Sequence, residues 1–414
     1  MRNGMAGYSV MALAVASALL GQGLMLTAVA QSLPATALSN VQDENTWLEV
    51  SAASFENNVT ILRNRVLTGN AAMCAVMKAD AYGHGIGLLM PSIIKLGIDR
   101  VCFANNSEAR IAREKGFKGR LIRIRIPSAA EIEEALKYDV EEMAGTAALM
   151  RSLSALGAKH KRTIKVHFNL NSAGMSRNGL EVDTDIGKRD AQEILRLPNL
   201  EFTGIMTHFP DETVEGIQAG LQAFLTESQW ILDTGKLDRK KVTLHCANTY
   251  AAVNVPTTHL DMVRVGSLLY GMGAPQVDGL KPVMAMKTRV GSVHNFKAGD
   301  TVSYDRTFTL KRDSQLANLA VGYSDGYHRS FSNRTQVLIR GKRFPVVGKI
   351  TMNAVMVDVT GSGVQPGDEV VLLGTQGTET ISMSELMAAS YTFYGEFFMN
   401  VGGSNPKVLA REEK

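Results

Sequence analysis

The chain has 414 residues, a length for two or three domains. Hydrophobic residues make up 45% and charged residues 20%, which excludes a disordered chain, a fibre and a multi-span membrane protein. With 44 Lys+Arg against 40 Asp+Glu the net charge is +4, and no block of five like charges occurs, so the chain carries no nucleic-acid footprint.

No charged residue stands between Arg2 and Asp43. Met11–Leu20 is nearly all apolar, and the run continues to Ala30, ending in Ala28-Val29-Ala30. Small residues at that spacing are what signal peptidase accepts, so residues 1–30 are predicted to be a signal peptide, with a mature chain from Gln31. The alternative is an uncleaved anchor, because the uncharged stretch is long enough to span a bilayer. An N-terminal segment, 31–46, follows.

From about 45 to 280 short apolar runs alternate with helical stretches. The predicted strands are AAMCAVMK (71–78), VCFA (101–104), RLIRIR (120–125), EEMAG (141–145), TIKVHFN (163–169), EFTGIMTH (201–208), VTLHC (242–246) and MVRVGSLL (262–269). Between them, Phe55, Val59, Leu62 and Val66 are spaced for one helical face. Ser107 and Ser128 are candidate N-caps, and Glu131 completes a capping box with Ser128. Eight β/α units in about 230 residues are the arithmetic of a (β/α)8 barrel, placed at 47–280. An open doubly wound sheet has the same alternation.

The texture then changes. Val290–Val293, Thr301–Tyr304, Leu316–Val321, Thr335–Ile339, Phe344–Val347, Ala354–Val359 and Glu369–Leu373 read as strands, and only Ser382–Ser390 reads as a helix. The expectation is a mainly β domain over 281–414, with Trp47–Val50 a candidate to pair with it.

Functional side chains of such barrels sit at the C-terminal ends of strands. Those ends carry Lys78, Asn169, His208, Asn248 and Arg264. A lysine at a strand end is more often a solvated flank. Lys78, however, closes an apolar run, and burial there would yield a neutral, nucleophilic amine able to capture an aldehyde cofactor. Tyr82, Gly83 and Gly85 follow, suited to the close approach of an anion.

AVMKADAYGHG (75–85) resembles the pyridoxal-phosphate lysine motif of the alanine racemase family. NSAGMSRNG (171–179), MTHF (206–209), HCANT (245–249), DMVRVG (261–266), VSYDRTF (302–308), VGYSDGY (321–327) and GKITMN (348–353) match further family segments in the right order. The resemblance spans most of 47–410. It implies a (β/α)8 barrel with a C-terminal β domain, and a homodimer with shared active sites.

The resemblance also implies roles. Lys78 binds the cofactor aldehyde and serves as one acid/base group; Tyr304, entering from the second subunit, serves the opposite face. Racemisation removes a proton from one face and returns one to the other, so two such groups are needed. Arg264 hydrogen-bonds the pyridine nitrogen as a permanent cation that gives up no proton. Val265 stands where the family usually has proline. The phosphate is held by Tyr82, Thr249 and the backbone N–H groups of Gly266 and Ser267. Tyr391 and Tyr394 are the candidates for a further phosphate tyrosine, with Tyr394 assigned. His208 packs near the ring, and Asn248 is secondary. Arg177 binds the substrate carboxylate, aided by the N–H of Met352.

One departure stands out. Narrow alanine racemases usually carry, just before the arginine, a lysine that becomes carboxylated and orients it. No lysine lies between Lys165 and Arg177 here. Asn169 or Asn171, with a bound anion such as chloride or with Arg125, is left to orient Arg177. This pattern, the leader and the closing GSNPK (403–407) resemble the periplasmic broad-specificity branch. That branch has a disulfide, and Cys74 and Cys102, on the first two strands, are its counterparts; the alternative is two buried thiols. Cys246 is expected to be free.

The expected function is therefore a periplasmic, pyridoxal-phosphate-dependent racemase of several amino acids, including lysine and arginine, with no membrane association once the leader is cleaved. The alternatives are a narrow exported alanine racemase, a cofactor-binding protein without turnover, and a basic-amino-acid decarboxylase on the related barrel.

Overall fold

A computed structural model describes residues 44–273, 277–390 and 393–411. The predicted leader lies outside the described residues. Each of the eight runs expected in the first half forms a strand. They are β2 (Ala72–Val76), β3 (Arg100–Phe103), β4 (Arg120–Arg123), β5 (Val140–Ala144), β6 (Ile164–Asn169), β7 (Leu200–Met206), β8 (Thr243–His245) and β9 (Met262–Val265). All pair in parallel, in the order β9-β2-β3-β4-β5-β6-β7-β8. Neighbours in sequence are neighbours in space, so there is no point of reversed order as in a doubly wound sheet. The sheet's two edges meet through Arg264 N–H to Ala247 O at 3.0 Å and Asp261 N–H to Leu244 O at 3.2 Å, nearly closing a barrel.

Local chemistry explains the helices. Ser128 caps Ala129–Ala135, its hydroxyl accepting from Glu131 N–H while the Glu131 carboxylate accepts from Ser128 N–H. The helix expected to be capped by Ser107 starts two residues sooner, at Asn106, because Asn105 is the cap and Glu108 closes its capping box. Phe55, Val59 and Leu62 bury one face of Ala52–Ile61 and the turn after it.

The second half is mainly β. Its long strand β10 (Met284–Phe296) pairs antiparallel with β1 (Thr46–Val50), Ser314–Leu319 and Glu369–Gln376. The N-terminal strand thus leaves the barrel and pairs, on its other edge, with Lys407–Leu409. Ser382–Ser390 is matched by the helix Met383–Ser390. A second helix, Tyr394–Ser404, was not expected. Three glycines weaken its sequence signal. Gly402 is required there because a Cβ would lie 2.5 Å from the Gly83 Cα, where the helix packs against the loop after β2. Among the described residues no helix is long and apolar enough to cross a membrane.

Candidate active site

At the C-terminal ends of the barrel strands lies a cavity of about 900 Å³. Lys78, Asn169, His208, Asn248 and Arg264, the residues picked from strand ends, all line it. So do Tyr82, Arg177, Thr249, Gly266, Ser267 and Tyr394. Tyr391 lies outside the described residues.

Lys78 follows β2 and begins a tight turn in which Ala79, Asp80, Ala81 and Tyr82 all have φ between 53° and 57°. Left-handed L-residues cost roughly 1–2 kcal/mol each, so the turn persists only because other bonds hold it. Asp80 accepts from Ile86 N–H at 2.8 Å and pairs with Lys407 at 3.1 Å, while Asp80 N–H donates to Glu108. His84 Nδ1 lies 2.9 Å from Tyr82 O and 3.1 Å from Ala81 O. Carbonyls only accept, so that nitrogen carries the hydrogen. The turn swings Lys78 and Tyr82 into the same cavity. Enclosure by protein, then the charges of Arg177 and Arg264, lower the Lys78 pKa.

One end of the cavity suits an anion. A Cβ at Gly266 would lie 2.4 Å from the Tyr82 hydroxyl, so glycine alone lets that phenol stand against the backbone there. Thr249 Oγ1 accepts from Gly266 N–H at 3.0 Å. Asn248 caps the helix that Thr249 begins, its side chain accepting from Ala251 N–H. Burial pushes the Tyr82 phenol up to about 12, keeping it a neutral donor.

Arg264 is buried on β9. Nη2 donates to Thr207 O at 2.9 Å and Cys246 O at 3.1 Å, and sits 3.3 Å from His208 Nδ1. Burial lowers its pKa to about 10, so it remains a cation at neutral pH. His208 is driven down to about 3 by burial and by the Arg264, Arg177 and Lys78 charges, so its ring is neutral.

Arg177 sits on the loop after β6. Of the groups considered for orienting it, Asn171 is occupied: its side chain donates to Glu181 and accepts from Ser176 N–H at 2.8 Å. Arg125 is held by Glu131 and Asn105. Asn169, by contrast, is buried with an Nδ2 that has no protein partner.

Cys74 and Cys102 are joined as a disulfide across the β2–β3 pair, with Cα atoms 5.8 Å apart. Cys246 is free and buried. Tyr304 and Met352 do not reach the cavity of their own chain. They are 65% and 54% exposed, on loops tied together by a Lys349–Asp305 ion pair and by Ser303 Oγ donating to Lys349 O. Missed by sequence reasoning were Glu141, His167 and His245, buried polar residues inside runs read as apolar strands.

The alanine racemase N-terminal domain family matches residues 50–274, and the alanine racemase C-terminal domain family matches 283–409. A broad specificity amino-acid racemase of Aeromonas hydrophila is 50% identical over 368 residues, covering 89% of this chain and 90% of that protein. A lysine racemase of Proteus mirabilis is 42% identical over 380 residues, covering 91% and 93%. The structure of the alanine racemase from Streptomyces coelicolor superposes with a TM-score of 0.82 at 27% identity, covering 90% of this chain and 99% of that one. The chain belongs to the alanine racemase family and is, like the curated relatives it matches, an amino-acid racemase.

Proposed function

We propose that this protein racemises a broad set of amino acids, including lysine and arginine, with pyridoxal phosphate as cofactor and with Lys78 and the Tyr304 of a second subunit as the two acid/base groups. The observation that carries the breadth is the 42–50% identity, over nearly the whole chain, to a broad specificity racemase and a lysine racemase.

The residues fit the cofactor: a lysine with a lowered pKa, a permanent cation and a phenol–glycine cradle face one cavity. Tyr82, Thr249, Gly266, Ser267 and Tyr394 would hold the phosphate, and Lys78 the aldehyde. When bound, the cofactor supplies the electron sink that makes the substrate α-proton acidic. Lys78 then moves a proton at the α-carbon on one face, and a lowered pKa favours that task. Tyr304 moves the proton on the other face. Arg177 holds the substrate carboxylate, supported by Met352 N–H from the partner. Arg264 donates without titrating, and Asn248 and His208 line the walls as neutral groups.

Asn169 Nδ2 is a buried donor without a partner. An anion such as chloride held by Asn169 would orient Arg177, which lines the same cavity, in place of a carboxylated lysine. The 1–30 leader, read as a cleaved export signal, fits the Cys74–Cys102 bridge, since disulfides persist in oxidising compartments. Residues 47–280 are proposed as the cofactor-binding unit and 281–414 as the donor of Tyr304.

Chiral chromatography of the mature protein with pyridoxal phosphate and separate L-alanine, L-serine, L-methionine, L-lysine and L-arginine tests this. D-products from several, with the basic ones among them, are expected. D-alanine alone would reduce the protein to a narrow alanine racemase, and no D-product would remove the racemase reading.

A further inference from the structure

Beneath the cavity, a row of buried polar side chains crosses the barrel interior. Arg120 on β4 donates to both oxygens of Glu141 on β5, Nε to Oε1 and Nη2 to Oε2, at 2.6 Å each. Thr203 Oγ1 on β7 donates to Glu141 Oε2 at 2.8 Å. His167 Nε2 on β6 is 2.8 Å from that same oxygen. His167 Nδ1 is 2.8 Å from His245 Nε2 on β8. His245 Nδ1 is 2.8 Å from Arg264 Nη1. Glu141, His167, His245 and Arg264 are all buried.

The proton positions along this row follow from its ends. A guanidinium only donates, so His245 Nδ1 is bare. A neutral imidazole has one N–H, so that of His245 is on Nε2 and donates to His167 Nδ1. His167 Nδ1 is then bare, its hydrogen is on Nε2, and it donates to Glu141. A second proton on His167 would point at His245 Nε2 and leave His245 needing two bare nitrogens, an imidazolate. Burial independently favours both rings neutral, lowering each histidine's pKa. Burial alone would raise the Glu141 carboxyl, but the bonds from Arg120 and His167 outweigh it and hold it well below the usual carboxylate range.

We propose that Glu141 and His167 are positioning residues for Arg264, fixing His245 in the one tautomer that accepts from the guanidinium. With His245 reversed, an N–H would face an N–H across 2.8 Å, and Nη1 would lose its partner. Nη2 is already anchored to Thr207 and Cys246, so the His245 bond sets the rotation of the guanidinium plane. The consequence for catalysis rests on the racemase reading above; the proton order does not.

The test is nitrogen-15 NMR of histidine-labelled protein, with and without pyridoxal phosphate. Both His167 and His245 are expected to carry a single proton, on Nε2, at neutral pH; an Nδ1–H or a cation on either overturns the proposal. Glu141→Ala removes the acceptor of the His167 Nε2–H and is expected to let His167 populate its Nδ1–H form, which meets the His245 Nε2–H and loosens the bond to Arg264, lowering kcat on the order of tenfold with little change in KM. Glu141→Gln keeps an acceptor oxygen for His167 and Thr203 while turning its amide N–H toward Arg120 Nε, and is expected to restore the tautomers and kcat at a lower Tm. Glu141→Ala with unchanged kcat would overturn the positioning role, and the wild-type and Glu141→Gln spectra decide the matter if Glu141→Ala does not fold. Nε2–H tautomers in a protein that racemises nothing would support the row and refute the racemase reading instead.

Discussion

The barrel mouth and the exposed face of the β domain hold their chemistry in opposite ways. In the barrel, Arg264 and Asn169 are buried, and Lys78 and Tyr82 are swung in by a strained turn held from several sides. On the β domain, Tyr304 and Met352 are exposed on loops that do not line the barrel-mouth cavity of their own chain. Backbone strain occurs in both: Ser303, Asp305 and Arg306 flank Tyr304 with φ between 48° and 63°, as Ala79–Tyr82 follow Lys78. Strain of this kind is retained where a side chain must be aimed. On the proposed reading, one half of the site is finished by its own fold, and the other is presented to a second subunit.

The largest effects should come from breaking either half. Lys78→Ala is expected to abolish racemisation, by about 10⁴-fold or more, because it removes both cofactor attachment and one proton carrier. Tyr304→Phe, which keeps the ring and deletes the hydroxyl, is expected to cost about 10²–10⁴-fold. Mixing the two inactive variants sharpens the comparison. If Tyr304 acts across a dimer, random reassortment gives one intact site in half of the pairs, so about a quarter of wild-type activity returns. A mixture that stays inactive after verified subunit exchange would place Tyr304 in its own subunit's site or in none.

A smaller effect is expected from the barrel's own fastening. The Cys74–Cys102 bridge closes a loop with a sequence separation of 28. Replacing both cysteines by serine should destabilise the protein by about 3.6 kcal/mol on the loop-entropy estimate. Thermal unfolding should show a Tm several degrees lower, while the β-domain loops keep their protection from hydrogen exchange. An unchanged Tm would mean that strand packing alone holds β2 to β3.

Acid separates the two regions further. Burial drives His84 down to about 4 and His208 to about 3, and lowers His167 and His245 as well. Between pH 6.5 and about 4 the unfolded chain binds protons on these rings and the folded chain does not. Stability therefore falls as pH drops through that window, before the carboxylates protonate. All four rings lie in the barrel half, so a pH titration of the cofactor-free protein followed by hydrogen exchange should loosen the barrel first. A melting temperature flat from pH 7 to 5 would contradict the buried neutral rings.

How legible these regions were in the sequence differs for physical reasons. The barrel strands were readable because each is a short apolar run between capped helices, and the strand-end residues fell into the cavity because parallel strands all end on one face. The left-handed turn after Lys78 was not readable: Ala79-Asp80-Ala81-Tyr82 contains no glycine, and the local bonds from Ile86 and His84 are joined by contacts distant in sequence, to Glu108 and Lys407. The Tyr394–Ser404 helix was hidden by the glycine that its packing against Gly83 requires. The Glu141–His167–His245 row was hidden because an alternating strand pattern reports which face is buried, and that face was assumed to be apolar.

The smallest predicted effect concerns how Arg177 is oriented. Asn171 braces its own loop through Glu181 and Ser176, whereas Asn169, in the cavity wall, has a buried Nδ2 with no protein partner. The two asparagines should therefore fail differently. Asn169→Ala is expected to raise KM for amino acids by about five- to tenfold, roughly the net worth of one ordinary hydrogen bond, with stability little changed. Asn171→Ala should instead destabilise the loop and depress kcat and KM-linked binding together. If an anion bridges Asn169 to Arg177, replacing chloride by a bulky anion should raise the wild-type KM and leave that of Asn169→Ala unmoved. Equal anion sensitivity in both proteins would remove Asn169 from the orienting role and leave Arg177 steered by the loop alone.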